Sequence, residues 1–172
     1  MTEERLEAMR EEHNSAPKNP TIKPRFPRES TYDYEARVVA GYYGLAIRSV
    51  FIKTAKVPEW EDGMLHDHFT VILERESFAE NGKRSVSKTM ETRYHASAKD
   101  TEEGLRKNPP IYSILSCLQK YDVGTFENFC ADFGYDTDSR RAEKTYKAVR
   151  QEYEDFSALF PEGIPEEILD IA

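Results

Sequence analysis

The residues able to do chemistry fall into three groups. His66 and His68 lie two apart on an expected strand, and His95 lies on the next one, opposite or diagonal to them. Three histidines within reach on a sheet is one way zinc sites are built. They share their face with Thr70, Glu74, Glu91 and Arg93, which reads as solvated; no fourth ligand or general base is fixed. An exposed polar cluster is the favoured reading, and no metal or other cofactor is expected.

The second group is GYDTDSRRAEK, residues 134–144. Asp136 and Asp138 invite a calcium loop, but Arg140, Arg141 and Lys147 stand where that loop needs an oxygen ligand, a glycine and a glutamate. Asp138 or Ser139 is better placed to cap a helix, with anionic Asp136 near its positive end. Arg140, Arg141, Lys144 and Lys147 then occupy the arc opposite the apolar stripe. Cations beside exposed N–H donors suit a phosphate or carboxylate. A local network in which Asp132, Asp136 and Asp138 neutralise these cations is the favoured reading, and an anion or partner site is the alternative.

The third group offers nucleophiles and phosphate loops, and it is nearly empty. GxSxG, GxxxxGKS and GxGxxG are absent. Cys117 and Cys130 form no CxxC and fall on the apolar sides of expected helices, where a free thiol packs as a small hydrophobe. The expectation is a protein that is not an enzyme, in a reducing cytoplasm.

The elements that position these residues follow from spacing. Residues 1–12 predict a short helix with Leu6 and Met9 on one side. Residues 13–28 hold Pro17, Pro20, Pro24 and Pro27 with four bases and no acids, which predicts an extended tail outside the folded body. Residues 1–34 therefore read as an extension, and 35–172 as a single α+β domain.

From Ala36 the chain is rich in β-branched and aromatic residues and broken by Gly41 and Gly44, predicting a short strand, a bend and a long strand near 44–54. HFTVILERES alternates, and Asn81-Gly82 is a hairpin signal. A two-residue turn there sets Phe69 opposite Tyr94, Val71 opposite Thr92 and Leu73 opposite Met90. The sheet is expected as an antiparallel meander of three or four strands, covered on one face by three carboxyl-terminal helices. The first carries Ile111, Ile114, Leu115 and Leu118. The second is capped by Thr125, carries Phe126, Phe129, Cys130 and Phe133, and ends at Gly134. The third runs from Ser139 to Phe160 with a stripe of Ala142, Tyr146, Val149, Tyr153, Phe156 and Phe160. The tail predicts one or two more turns.

The 172 residues carry a net charge of −8. Residues 1–121 hold 19 acids and 19 bases, whereas 122–172 hold 13 acids and 5 bases, so the whole surplus lies at the carboxyl end. General DNA coating, which needs a cationic excess, is disfavoured. No apolar run reaches the roughly 18 residues of a membrane span.

Thr125–Tyr153, TFENFCADFGYDTDSRRAEKTYKAVRQEY, resembles a widespread, mostly uncharacterised set of small bacteriophage and prophage proteins. Their carboxyl-terminal half pairs a Phe-Glu-x-Phe-Cys-x-Asp/Glu-Phe helix with Gly-Tyr-Asp-x-Asp-Ser-Arg-x-Ala-Glu and an amphipathic helix. A strand like His68–Arg75 commonly precedes it, so the resemblance covers about residues 44–160. It implies phage origin and a small accessory protein, of a kind that often acts on host machinery, including inhibitors of CRISPR or restriction systems.

The function expected is therefore a phage-encoded binding protein that inhibits a host protein or nucleoprotein defence complex. Its candidate surface is acidic: Glu152, Glu154, Asp155, Glu162, Glu166, Glu167 and Asp170. The alternative is a nucleic-acid- or phosphometabolite-binding accessory protein using the basic tail and the Arg140/Arg141/Lys144 arc. A metal-dependent enzyme at the histidines is the third reading.

Overall fold

The computed structural model describes residues 1–56, 65–78, 84–94 and 99–171. Among these, seven helices accompany one antiparallel sheet of three strands in the order β1-β2-β3. The helices are α1 (Glu3–Ser15), α2 (Thr31–Tyr42), α3 (Glu102–Lys107), α4 (Ile111–Gln119), α5 (Phe126–Phe133), α6 (Arg140–Ser157) and α7 (Glu166–Leu169). The strands are β1 (Leu45–Lys56), β2 (Leu65–Phe78) and β3 (Arg84–Tyr94). The proposed turn at Asn81-Gly82 lies outside the described residues.

The β2–β3 register from Phe69 to Glu74 is the one expected from the sequence: Phe69 faces Tyr94, Val71 faces Thr92 and Leu73 faces Met90. Beyond Glu74 the pairing shifts by one residue, so that Glu76 faces Val86. A one-residue shift of this kind is a β-bulge, which bends the strand locally. Phe69, Val71, Leu73, Met90 and Thr92 are all buried. The opposite face departs from expectation. Thr70 and Glu74 are 1% and 3% exposed, so at these positions that face is covered rather than solvated.

The short strand expected at Ala36 is instead the second half of helix α2. Val38 and Val39 carry strand propensity, but Ser30 caps the helix by accepting from the Asp33 N–H at 3.0 Å. Tyr34, Ala36, Val38, Val39 and Ala40 are all buried against neighbouring elements, among them α1, α4, α7 and β1. Burial of this kind outweighs a propensity difference of less than about 1 kcal/mol per residue. Gly44 then turns the chain into β1 with φ +76°, and a Cβ there would lie 2.1 Å from the Glu76 carbonyl oxygen. Only glycine fits that approach.

The amino-terminal segment is the largest correction. Leu6, Met9 and Ile22 are 2%, 0% and 7% exposed and belong to the same apolar cluster as Val38, Leu73 and Phe156. The expected solvent-borne tail is packed onto the body. Its four prolines remove N–H donors and fix φ, so an extended path over the surface leaves few main-chain groups unsatisfied. Several of the remaining groups are met by side chains. Asn14 accepts from the Ile22 N–H at 2.8 Å and donates to the Ile22 carbonyl at 2.9 Å. Arg37 donates to the carbonyls of Lys23 and Pro24 and pairs with Glu29 at 2.7 Å, its guanidinium 4.5 Å from the Phe26 ring centre.

In the carboxyl-terminal third, Thr125 caps α5 and Gly134 ends it in the left-handed conformation, as the sequence predicts. Ser139, not Asp138, caps α6 by accepting from the Ala142 N–H at 3.2 Å. Phe160 lies three residues beyond the helix yet is 2% exposed, so the stripe continues into the following turn. Phe129, Cys130, Ala142 and Tyr146 form a second, smaller apolar cluster between α5 and the start of α6. Cys117 is exposed, contrary to expectation, because it projects well away from the arc of Ile114, Leu115 and Leu118 on α4.

Candidate functional site

The seven acids proposed as a surface divide when their neighbours are examined. Glu154 pairs with Arg150 at 2.9 Å, one turn away on α6. Glu162 pairs with Arg75, which also donates to the Tyr43 carbonyl and lies over the Phe160 ring. Glu167 pairs with Arg5 at 3.6 Å and accepts from the Tyr43 hydroxyl at 2.8 Å. These contacts tie the tail to β2, to α1 and to the end of α2. They also move protons. The Glu162 and Glu167 carboxyls are held below their ordinary value, each first by a backbone N–H and then by Arg75 or Tyr43. Burial and Glu167 together push the Tyr43 hydroxyl up to about 12.

The other four acids are less committed. Glu152 accepts from the Thr92 hydroxyl at 3.2 Å, joining α6 to β3. Asp155 accepts from the neutral Gln151 amide at 2.9 Å. Glu166 and Asp170 are exposed, with no cation within 4 Å among the described residues. The negative end persists, reduced by internal pairing.

The basic start of α6 also divides. Arg140, Arg141, Lys144 and Lys147 are all exposed. Lys147 pairs with Glu143 at 2.6 Å, and Arg141 is engaged elsewhere. Among the described residues no ion pair joins Asp132, Asp136 or Asp138 to Arg140 or Lys144. Asp136 acts instead toward Cys130, whose thiol is pushed up by burial, Glu127 and Asp136. A raised thiol pKa makes a poorer nucleophile, as expected for a packed cysteine.

The histidine reading cannot be built from the described part of the chain. His66 and His68 lie on β2 opposite Ala55 and Lys53, and His95 lies outside the described residues. Among the described residues no group of three histidines, cysteines or carboxylates is placed to hold a metal ion, and no helix is long and apolar enough to cross a membrane.

One feature escapes the sequence reading. A cleft of about 1340 Å³ opens between residues 19–29, the α2–β1 junction, Arg75–Glu76 and the Lys107–Ile111 connection. It exists because Ile22 anchors the proline-rich segment against Gly41, where a Cβ would come 2.9 Å from Ile22 Cδ1. The available signal was Ile22 itself, a lone large aliphatic residue in a proline- and lysine-rich stretch.

Comparison with protein-family models, with curated proteins and with solved structures found no match to this chain.

Proposed function

We propose that this is a phage-encoded binding protein that inhibits a host protein or nucleoprotein defence complex, of the anti-CRISPR or anti-restriction kind, through its acidic carboxyl-terminal surface. The observation that supports this reading is the charge left after internal pairing. Three of the seven acids are matched by Arg150, Arg75 and Arg5, and Glu152 is engaged with Thr92, whereas Asp155, Glu166 and Asp170 meet no cation among the described residues. The internal pairs hold the segment from Glu152 to Asp170 in place. Asp155, Glu166 and Asp170 are the acids left to meet a partner. Carboxylates fixed on a folded surface can compete with phosphates for a basic groove, and they steer encounter over a distance set by salt. The resemblance of Thr125–Tyr153 to phage accessory proteins supports the origin and the class of target.

The test is capture of partners from a bacterial lysate by the wild-type chain and by Asp155→Lys/Glu166→Lys/Asp170→Lys. All three side chains are exposed, so the variant should fold normally. A basic protein or nucleoprotein retained by wild type and lost by the variant is the expected result. Equal capture by both sinks the reading.

A second reading is favoured by the charge of Arg140 and Lys144. Both are exposed beside the α6 amino terminus. In that reading they bind a phosphate-bearing ligand. Calorimetry with a short oligonucleotide should show binding that Arg140→Glu/Lys144→Glu abolishes. Absence of heat with the wild-type chain ends it.

A further inference from the structure

We infer that the cleft beside β1 is a docking site for an extended, acidic segment of a partner protein, which adds to the sheet along the free edge of β1. Three observations converge on it. β1 is an edge strand, paired with β2 alone among the described strands, and its residues Leu45–Ile47 line the cleft. An edge strand presents unpaired N–H and C=O groups, and pairing with an incoming strand is a recurrent way to satisfy them. Further along, the Val50 carbonyl already accepts from the Arg106 guanidinium at 2.7 Å, so α3 closes that stretch of edge. The stretch that lines the cleft is therefore the start of the strand, ahead of Val50.

The second observation is charge. Lys23 and Arg28 line the cleft, are exposed, and have no acid within ion-pair distance among the described residues. Lys107, on the opposite wall, pairs with Glu103 at 2.9 Å, the two side chains 71% and 80% exposed. Such a pair is worth little and is easily exchanged for another carboxylate. The three acids of the cleft are less available: Glu29 is committed to Arg37, Asp33 accepts from the Ser30 hydroxyl at 2.7 Å, and Glu76 is also engaged. In a chain of net charge −8, this is a cationic concavity, complementary to an acidic strand.

The third observation is shape. At about 1340 Å³ the cleft exceeds the roughly 300–1,000 Å³ usual for small-molecule sites. Prolines 20, 27, 109 and 110 stiffen its walls, and Phe26 at 40% exposure stands on its rim as an apolar contact. A pre-formed wall reduces the ordering cost of binding.

The experiment uses the full chain and a fluorescein-labelled eight-residue peptide of alternating glutamate and valine, followed by anisotropy and by amide chemical shifts. Saturable binding is expected, with shifts centred on Leu45–Ile47 and Ile22–Glu29. Lys23→Glu/Arg28→Glu should weaken it about tenfold, as for loss of close complementary charges. The same peptide N-methylated on alternate residues should lose binding in one of its two registers, because only one set of its N–H groups faces β1. Binding unchanged by the charge reversal, binding that survives both N-methylated registers, or no saturation at about 1 mM peptide overturns the proposal. Binding of a short oligonucleotide that displaces the peptide would likewise overturn it, assigning the cleft to nucleic acid.

Discussion

The amino-terminal segment and the α5–α6 hairpin attach to the body in opposite ways. The hairpin brings its own apolar cluster, Phe129, Cys130, Ala142 and Tyr146, with the rings of Phe129 and Tyr146 5.5 Å apart. The amino-terminal segment has no cluster of its own. It contributes Leu6, Met9 and Ile22 to the main one, and polar clamps at Asn14 and Arg37 hold the chain between them. The hairpin's packing is local in sequence, while the segment depends on residues far along the chain. The first arrangement is announced by periodicity; the second is visible only once the rest has folded.

The comparison is broken most severely by large-to-small substitutions. Met9→Ala should lower the stability of the whole protein by about 2–5 kcal/mol, because it opens a cavity in the main cluster. Phe129→Ala should cost a similar amount, about 3–5 kcal/mol, but locally. Hydrogen exchange in Phe126–Phe133 should rise toward the unstructured rate while β2 stays protected. Uniform loss of protection in both variants would show that the two clusters unfold together. A Met9→Ala protein with unchanged urea midpoint would return the segment to solvent.

Two of the positive-φ glycines, Gly44 and Gly134, sharpen the same contrast. Gly134→Ala, at φ +71° with nothing within 4 Å of the added carbon, should cost only the left-handed strain of about 1–2 kcal/mol. Gly44→Ala adds collision with the Glu76 carbonyl to a similar φ, and should cost clearly more. Equal midpoints for the two variants in thermal melts would mean that the α2–β1 junction can give way.

Acid should loosen the segment before the hairpin. Burial pushes the Glu29 carboxyl up, but the hydrogen bonds from Arg37 and the Phe26 N–H outweigh it and hold the group below its ordinary value of 4.5. A carboxyl depressed in the folded state contributes stability that is complete above its unfolded pKa and is lost as pH falls through the folded one. Protection of the segment should therefore decline below about pH 4.5, and Glu29→Gln, already weaker at pH 7, should flatten that decline. An unaltered acid profile in the variant would remove Glu29 from the account. The smallest effect belongs to the Lys147–Glu143 pair on α6, 72% and 54% exposed, where Lys147→Ala should change stability by only about 0.3–0.5 kcal/mol.

What the sequence shows follows this division. The buried face of β2 and β3 and the caps of α5 were legible because each rests on strict alternation or near neighbours, and the α6 cap was narrowed to Asp138 or Ser139. Helix α2 was not, because Val38 and Val39 favour a strand until Tyr34 and Ala36 are buried beside them. Helix α3 had signals that went unread: Thr101 as a cap, Glu102 and Glu103 in the first turn, Arg106 and Lys107 in the last. At the candidate surface, the sequence locates the excess of acid but not its partners. Arg5 and Arg75 lie far from Glu167 and Glu162 along the chain, and only the fold brings them together.

The most direct test is the salt dependence of affinity between the full chain and the partner it captures, measured by calorimetry for wild type and for Asp155→Lys/Glu166→Lys/Asp170→Lys. Docking of an acidic surface into a basic groove predicts a Kd that rises steeply with ionic strength for wild type and a much shallower slope for the variant. An affinity indifferent to salt, or the same slope in both proteins, would contradict it.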